Sequence, residues 1–175
     1  MTYYAHIMDG VINGCGQCRV LSENALNVVI SEEVYNNIDM YIYSEGEVIL
    51  NPNYEAEQAQ KEHERIQGLS MTRSDFFDGT IKAFGADADD LLLVLEPIIA
   101  NSPLREVEKK VAINNYKNAL NFYRKHPLFT LLSEIPLSIY GKQVIITADK
   151  WDKFFDETDK GNKLAYEYLC KEETE

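Results

Sequence analysis

Three groups of residues have the types and spacing to do chemistry. Cys15-Gly-Gln-Cys18 has the spacing of a dithiol redox centre or of half a zinc site. A redox centre calls for the first thiol at a helix N-terminus after a βαβ strand, where the dipole lowers its pKa, and this pair lies in a Gly-rich turn between apparent strands. A zinc site calls for a second pair, and Cys170, His6, His63 and His126 supply neither a second CxxC nor two closely spaced histidines. Two reduced thiols in a hairpin is the plain reading, and a zinc ion shared between two chains is the one metal reading left. The acidic runs Asp87-Ala-Asp-Asp90 and Asp156 to Asn162 suggest calcium. Counted from Asp87, however, the Gly and Glu places of an EF-hand loop hold Leu92 and Ile98, and Lys160 occupies a ligand place in the second run. Helix-start acids and a solvated turn explain both. His63 stands between Glu62 and Glu64 on a polar stretch, and the chain has no Gly-rich phosphate loop, G-x-S-x-G or H-E-x-x-H. The expectation is a protein with no catalytic residues, no metal ligands and no cofactor.

The elements that would position any site fall on two sides of a seam from Pro52 to Met71. The 175 residues suit one medium domain or two small ones, and a 45% apolar content supports a packed core. Before the seam, Asp9-Gly10 separates Tyr3–Ile7 from Val11-Ile12, a strong hairpin signal. A second strand pair is expected from 19–21 and 26–30 around Ser22-Glu23-Asn24, and a third from 40–43 and 47–50 around Ser44-Glu45-Gly46. Ser31 with Glu32 and Glu33 marks a short helix start. A sheet unit this small buries little and needs a neighbour on one face. Its tyrosines, Tyr3, Tyr4, Tyr35, Tyr41 and Tyr43, with Tyr54 just beyond, serve either as packing or as a binding platform.

Past a Glu/Gln/Lys-rich connector, the chain is patterned for helices. Thr72 to Asp75 opens one running to Phe84, with Phe76, Phe77, Ile81 and Phe84 as its buried stripe and Gly85 as its stop. Asp87 to Asp90 starts the next, which Pro97 should bend or break. The segment 104–125 reads as the longest helix. It is basic, with Arg105, Lys109, Lys110, Lys117, Arg124 and Lys125, and Val107, Val111, Ala112 and Tyr116 contribute to a broad apolar stripe. Asn114, Asn118 and Asn121 recur along a second face, next to Asn115. Each Asn costs roughly 0.5–0.7 kcal/mol relative to Ala inside a helix, so this row either faces a partner or is simply solvated. Pro127 closes that helix, Leu128 to Leu132 form a short apolar one, and an extended run at 144–146 precedes a helix capped by Thr147 or Asp149. A last helix is expected over 162–170, followed by a frayed tail at 171–175. The fold class is therefore α+β, with an antiparallel N-terminal unit (1–52), a helical connector (53–70) and a C-terminal helical bundle (71–175).

The formal net charge of −12 repels phosphates, so direct nucleic-acid binding is disfavoured. Such a surface suits solubility, a basic protein partner, or mimicry of nucleic acid. No stretch approaches the ~18–20 continuous apolar residues of a membrane span. The N-terminus lacks the basic patch and apolar run of a signal peptide, so the chain is expected to fold in a cytoplasm.

Several segments together, Tyr4-Ala-His-Ile7 with Asp9-Gly-Val-Ile-Asn-Gly14, Val34-Tyr-Asn-Asn37, Leu50-Asn-Pro-Asn-Tyr-Glu55, Met71 to Phe77 and Phe122-Tyr-Arg-Lys-His-Pro-Leu128, resemble small proteins encoded in the tail-gene clusters of bacteriophages and prophages. The resemblance covers most of the chain and implies no catalytic residue. It implies a phage origin and a tail-associated accessory or assembly factor, located in the host cytoplasm or with the virion. The alternative is an acidic phage inhibitor of a host defence nuclease. Either acts by binding a protein, a tail component or a host protein, and self-association through the basic helix is a further expectation. Lys110, Asn114, Lys117, Asn118 and Asn121 are the expected partner-binding residues.

Overall fold

The computed structural model describes residues 1–134 and 136–170. The chain is α+β, and it divides into two compact units, one spanning Met1–Lys61 and one beginning at Glu62. The division falls inside a single helix, so the polar connector contributes to both units.

In the first unit β1 (Tyr3–Met8) is the central strand of a three-stranded antiparallel sheet, between β2 (Val11–Gly16) and β3 (Ala25–Ile30). The β1–β2 turn needs left-handed backbone at Asp9 and Gly10, which is why Asp-Gly stands there. Strand β3 pairs with β1, Ala5 facing Val28, and the expected partner at 19–21 is not a strand. The amide of Asn27 accounts for this difference: it accepts from Val20 N at 2.8 Å and donates to Val20 O at 3.0 Å, so a side chain holds the loop where a ladder was expected. Helix α1 (Glu32–Asn36) is capped by Ser31, and a hairpin of β4 (Tyr41–Ser44) and β5 (Glu47–Leu50) follows. Tyr3 stacks on Tyr35 of α1 at 4.5 Å, and Tyr3, Ala5 and Ile7 are the unit's buried apolar residues. A core of three side chains is thin. Helix α2 (Tyr54–Gln67) has no buried residue.

The second unit holds the large core, built on Phe76, Phe129, Trp151, Phe154 and Phe155. A ribbon of β6 (Ser70–Thr72) and β7 (Asn121–Tyr123) sets Met71 opposite Phe122. Helix α3 (Arg73–Phe84) starts at Thr72, whose hydroxyl accepts from Asp75 N, and ends at left-handed Gly85. Its buried face differs from the expected stripe. Phe76 and Phe77 are inside, but Ile81 is exposed, and Gly79 and Thr80 are buried instead. Gly79 lets α3 approach α7 (Ala148–Asp159), since a Cβ there would lie 2.4 Å from Phe154 Cζ.

Asp87 and Asp90 form a capping box on α4 (Ala88–Asn101). Pro97 does not break this helix. Pro97 and Leu93, whose carbonyl loses its amide partner, are both exposed, so water can take that bond. Helix α5 (Glu106–Asn118) is followed by β7, then α6 (Pro127–Glu134) and a hairpin of β8 (Leu137–Ile139) and β9 (Lys142–Val144). The expected strand at 144–146 thus lies earlier, around the positive-φ turn Tyr140-Gly141. Thr147 caps α7, and the last helix, α8 (Glu167–Cys170), is shorter than the one expected over 162–170. The tail at 171–175 lies outside the described residues. Among the described residues no helix is long and apolar enough to cross a membrane.

Candidate protein-binding site on helix α5

The helix expected over 104–125 stops at Asn118, and Asn121 belongs to β7, opposite Thr72. A distant arginine explains the stop. Arg73 donates to Tyr116 O at 2.5 Å, its guanidinium is 3.5 Å from Ala119 O, and its own backbone N–H donates to Leu120 O at 2.8 Å. These contacts satisfy carbonyls that the helix end would leave orphaned, so the chain can turn into β7 without continuing the helix. Of the five residues expected to bind a partner, α5 therefore carries Lys110, Asn114, Lys117 and Asn118.

Their surroundings differ. The Asn118 amide donates to Asn114 Oδ1 at 2.8 Å and Asn114 O at 3.1 Å, bonds within the helix that offset part of the cost of these two asparagines. Lys117 is 3.3 Å from Glu96 of α4, an exposed pair of little energetic weight. Lys109, deeper than its neighbours, donates to Ala100 O at 2.8 Å and ties α5 to the last turn of α4. Lys110 is exposed and has no ion-pair partner among the described residues.

The apolar stripe of α5 is split. Ala112 and Tyr116 are buried, but Val107 and Val111 are 71% and 50% exposed. At helical spacing Val107, Val111, Asn114 and Asn118 form one outward line. Beside it lies a groove of about 290 Å³ between α5 and the start of α6, lined chiefly by Leu104, Val107, Val111, Leu128 and Leu131. The carboxylate of Glu108, which also lines the groove, is held by Arg105: the guanidinium Nη2 donates at 2.6 Å, Nε at 3.0 Å, and the Arg105 backbone N–H at 2.9 Å. Those bonds hold its carboxyl below the usual range. His126 lines the same groove, and burial pushes its pKa down. Its Nδ1 accepts from Leu128 N at 3.2 Å, capping the start of α6 with a neutral ring.

Sequence reasoning missed the outward turn of Val107 and Val111. The signal was present: Val107, Val111, Ala112 and Tyr116 span an arc wider than one neighbour can cover.

The cysteine motif has no such surroundings. Cys15 sits opposite Ala5 on the inner face of the sheet and its thiol donates to Tyr35 O at 3.7 Å. Cys18 lies past the end of β2 and is exposed. Burial, with Asp39 adding to it, pushes the Cys15 thiol up, the opposite of what a reactive thiolate needs. His6 pairs with Gly14 on the other face, where its Nε2 donates to Cys18 O at 2.9 Å. Among the described residues no three His, Cys, Asp or Glu side chains are placed to hold a metal ion. Comparison with protein-family models, with curated proteins and with solved structures finds no match.

Proposed function

We propose that this chain acts by binding a protein rather than by catalysing a reaction, and that α5 with its adjoining groove is the binding face. The observation that carries the reading is the exposed pair Val107 and Val111 beside an apolar groove, on a helix whose Lys110 has no ion-pair partner among the described residues, in a chain that is otherwise strongly acidic. Apolar side chains left outside a well-filled core, rimmed by polar groups, are the mark of an interaction surface. In line with the phage-tail resemblance, the role is that of a tail-associated accessory or assembly factor, present in the host cytoplasm during assembly and with the virion if retained. The test is co-purification of the tagged chain from infected or induced cells, quantified by mass spectrometry beside a Val107→Asp/Val111→Asp variant and beside purified particles. Tail components should be recovered with the parent chain and depleted with the variant. Recovery that ignores the two aspartates rules out α5 as the binding face.

A second reading rests on the first unit. Residues 1–61 carry nine carboxylates against Arg19 and Lys61 alone. A unit so acidic suits an inhibitor that covers the nucleic-acid-binding surface of a host defence nuclease. Its partner would be a basic host protein, bound in a strongly salt-dependent way and insensitive to the α5 substitutions.

A further inference from the structure

We propose that a cavity between α3 and the segment joining α7 to α8 binds a small zwitterion, a short peptide with free ends or an ω-amino acid of similar length, with an ammonium at one end and a carboxylate at the other. The inference goes beyond the reading of α5 as a protein-binding face, since other elements build this cavity.

Asp75, Asp78 and Lys82 stand at i, i+3 and i+7 on one face of α3, and Thr158, Lys163 and Tyr166 line the same space from α7 and the residues after it. Gly79, which lacks a Cβ, and the Phe154 ring that it admits also line it. The volume is about 240 Å³, below the ~300–1,000 Å³ of sites for drug-sized ligands. The occupant must be small.

The charges set its chemistry. Two carboxylates and two ammonium groups line the cavity, and none of the four is within ion-pairing distance of another. Asp78 and Lys82 have the i, i+4 spacing and the order that favour a pair on a helix surface. Lys82 Nζ lies instead 5.9 Å from the centre of the Tyr166 ring, and Asp78 and Lys163 have no hydrogen-bond or ion-pair partner among the described residues. Asp75 uses one oxygen on the Thr72 hydroxyl, at 2.6 Å. A lone anion would meet Asp75 and Asp78, and a lone cation Lys82 and Lys163, so this lining suits a molecule that carries both charges.

The order along α3 sets the length. At ~1.5 Å per residue, Asp78 and Asp75 precede Lys82 by about 6 and about 10 Å along the axis. An α-amino acid holds both charges on one carbon and spans neither distance. A di- or tripeptide, extended at ~3.3–3.6 Å per residue, spans about 7–10 Å.

The experiment is a titration of the isotope-labelled, full-length chain followed by amide chemical shifts, with triglycine as the probe and ε-aminocaproate, N-acetyl-triglycine and triglycinamide beside it. Triglycine and ε-aminocaproate should shift the amides around Gly79 and Lys163 and bind several-fold more tightly than the acetylated or amidated forms, each of which lacks one charge. Raising the salt should weaken them. Asp78→Asn should weaken triglycine several-fold and leave N-acetyl-triglycine unchanged. Lys82→Gln/Lys163→Gln should weaken triglycine and leave triglycinamide unchanged, because a removed partner is missed only by the charge it met. All three side chains are exposed, and circular dichroism with a thermal melt checks that the variants are folded. Blocked forms that bind as well as triglycine overturn the zwitterion, and shifts that ignore the substitutions overturn the site. No saturable shift up to the solubility limit of the probes overturns both.

Discussion

The hydroxyl of Tyr140, on the positive-φ turn between β8 and β9, donates to the carboxylate of Asp90 in the first turn of α4. Asp90 also accepts from the backbone N–H of Asp87, closing the capping box. One carboxylate thus joins a hairpin tip to a helix start.

This pairing predicts how the protein responds to acid. The Tyr140 hydrogen bond, with the Asp87 backbone N–H, holds the Asp90 carboxyl below the usual range. A carboxylate with a depressed folded-state pKa stabilises the fold above its unfolded value, near 3.9, and loses that contribution as pH falls through the folded value. Tyr140→Phe should therefore melt at a lower temperature than the parent at pH 6, and the difference should shrink as pH falls below about 4. A gap between the two melting curves that is constant over that window would show that Asp90 does not read the phenol.

Gly79 predicts a conflict of two effects. Alanine in a helix is favoured over glycine by about 0.8–1 kcal/mol, but its methyl would lie 2.4 Å from the Phe154 ring. Phe154 is a fully buried member of the core, so the ring cannot swing away and overpacking of about 1–3 kcal/mol should win. Gly79→Ala is expected to be destabilising in a urea titration, and Phe154→Leu in the same chain should recover part of the loss, since a non-additive pair is the signature of direct contact.

Arg124 is 4% exposed, with its Nε 2.6 Å from Asp152 Oδ1 and its Nη2 donating to Ala148 O at 3.1 Å. Removing one member of such a pair leaves a buried charge uncompensated, at a cost of about 3–5 kcal/mol. Asp152→Ala strands the more deeply buried partner and should destabilise more than Arg124→Met, which supplies an apolar side chain to lie against Phe129. Chemical denaturation of the two variants and their combination measures this, and equal losses would refute the asymmetry.

What could be read from the sequence was what short-range bonds decide. Ser31, Thr72, Asp87 and Thr147 each cap a helix because the bond runs to a backbone N–H two or three residues away. The turns at Asp9-Gly10 and Glu45-Gly46 are set by residues that tolerate positive φ. What escaped was decided from afar. The end of α5 depends on Arg73, more than forty positions from Tyr116, and the pairing of β3 with β1 depends on Asn27 occupying Val20. Neither partner is announced by periodicity. The same holds for the candidate site: Lys110 and Asn114 could be placed on a helix, but the groove exists because α6 lies beside it.

His126 gives that groove a pH dependence. Burial lowers its pKa, and its Nδ1 can accept from Leu128 N only while deprotonated. The groups around it along the groove are Glu108, engaged by Arg105, and the apolar Leu104, Val111, Pro127 and Leu131, so no free carboxylate from α5 faces the ring to favour the charged form. A histidine whose folded-state pKa is depressed leaves stability intact above its unfolded value, near 6.5, and erodes it as pH falls from there toward the folded value, because the unfolded chain takes up the proton first. Thermal melts from pH 7.5 to 5 should fall for the parent. His126→Asn, which keeps a capping acceptor without a titrating ring, should flatten that part of the profile. If the groove is the binding face, recovery of the co-purified partner should fall over the same range for the parent and stay level for the variant. A parent profile as flat as that of His126→Asn would mean that the histidine cap adds nothing measurable over this range, and that α6 is held in place by its buried Leu128, Phe129 and Leu132.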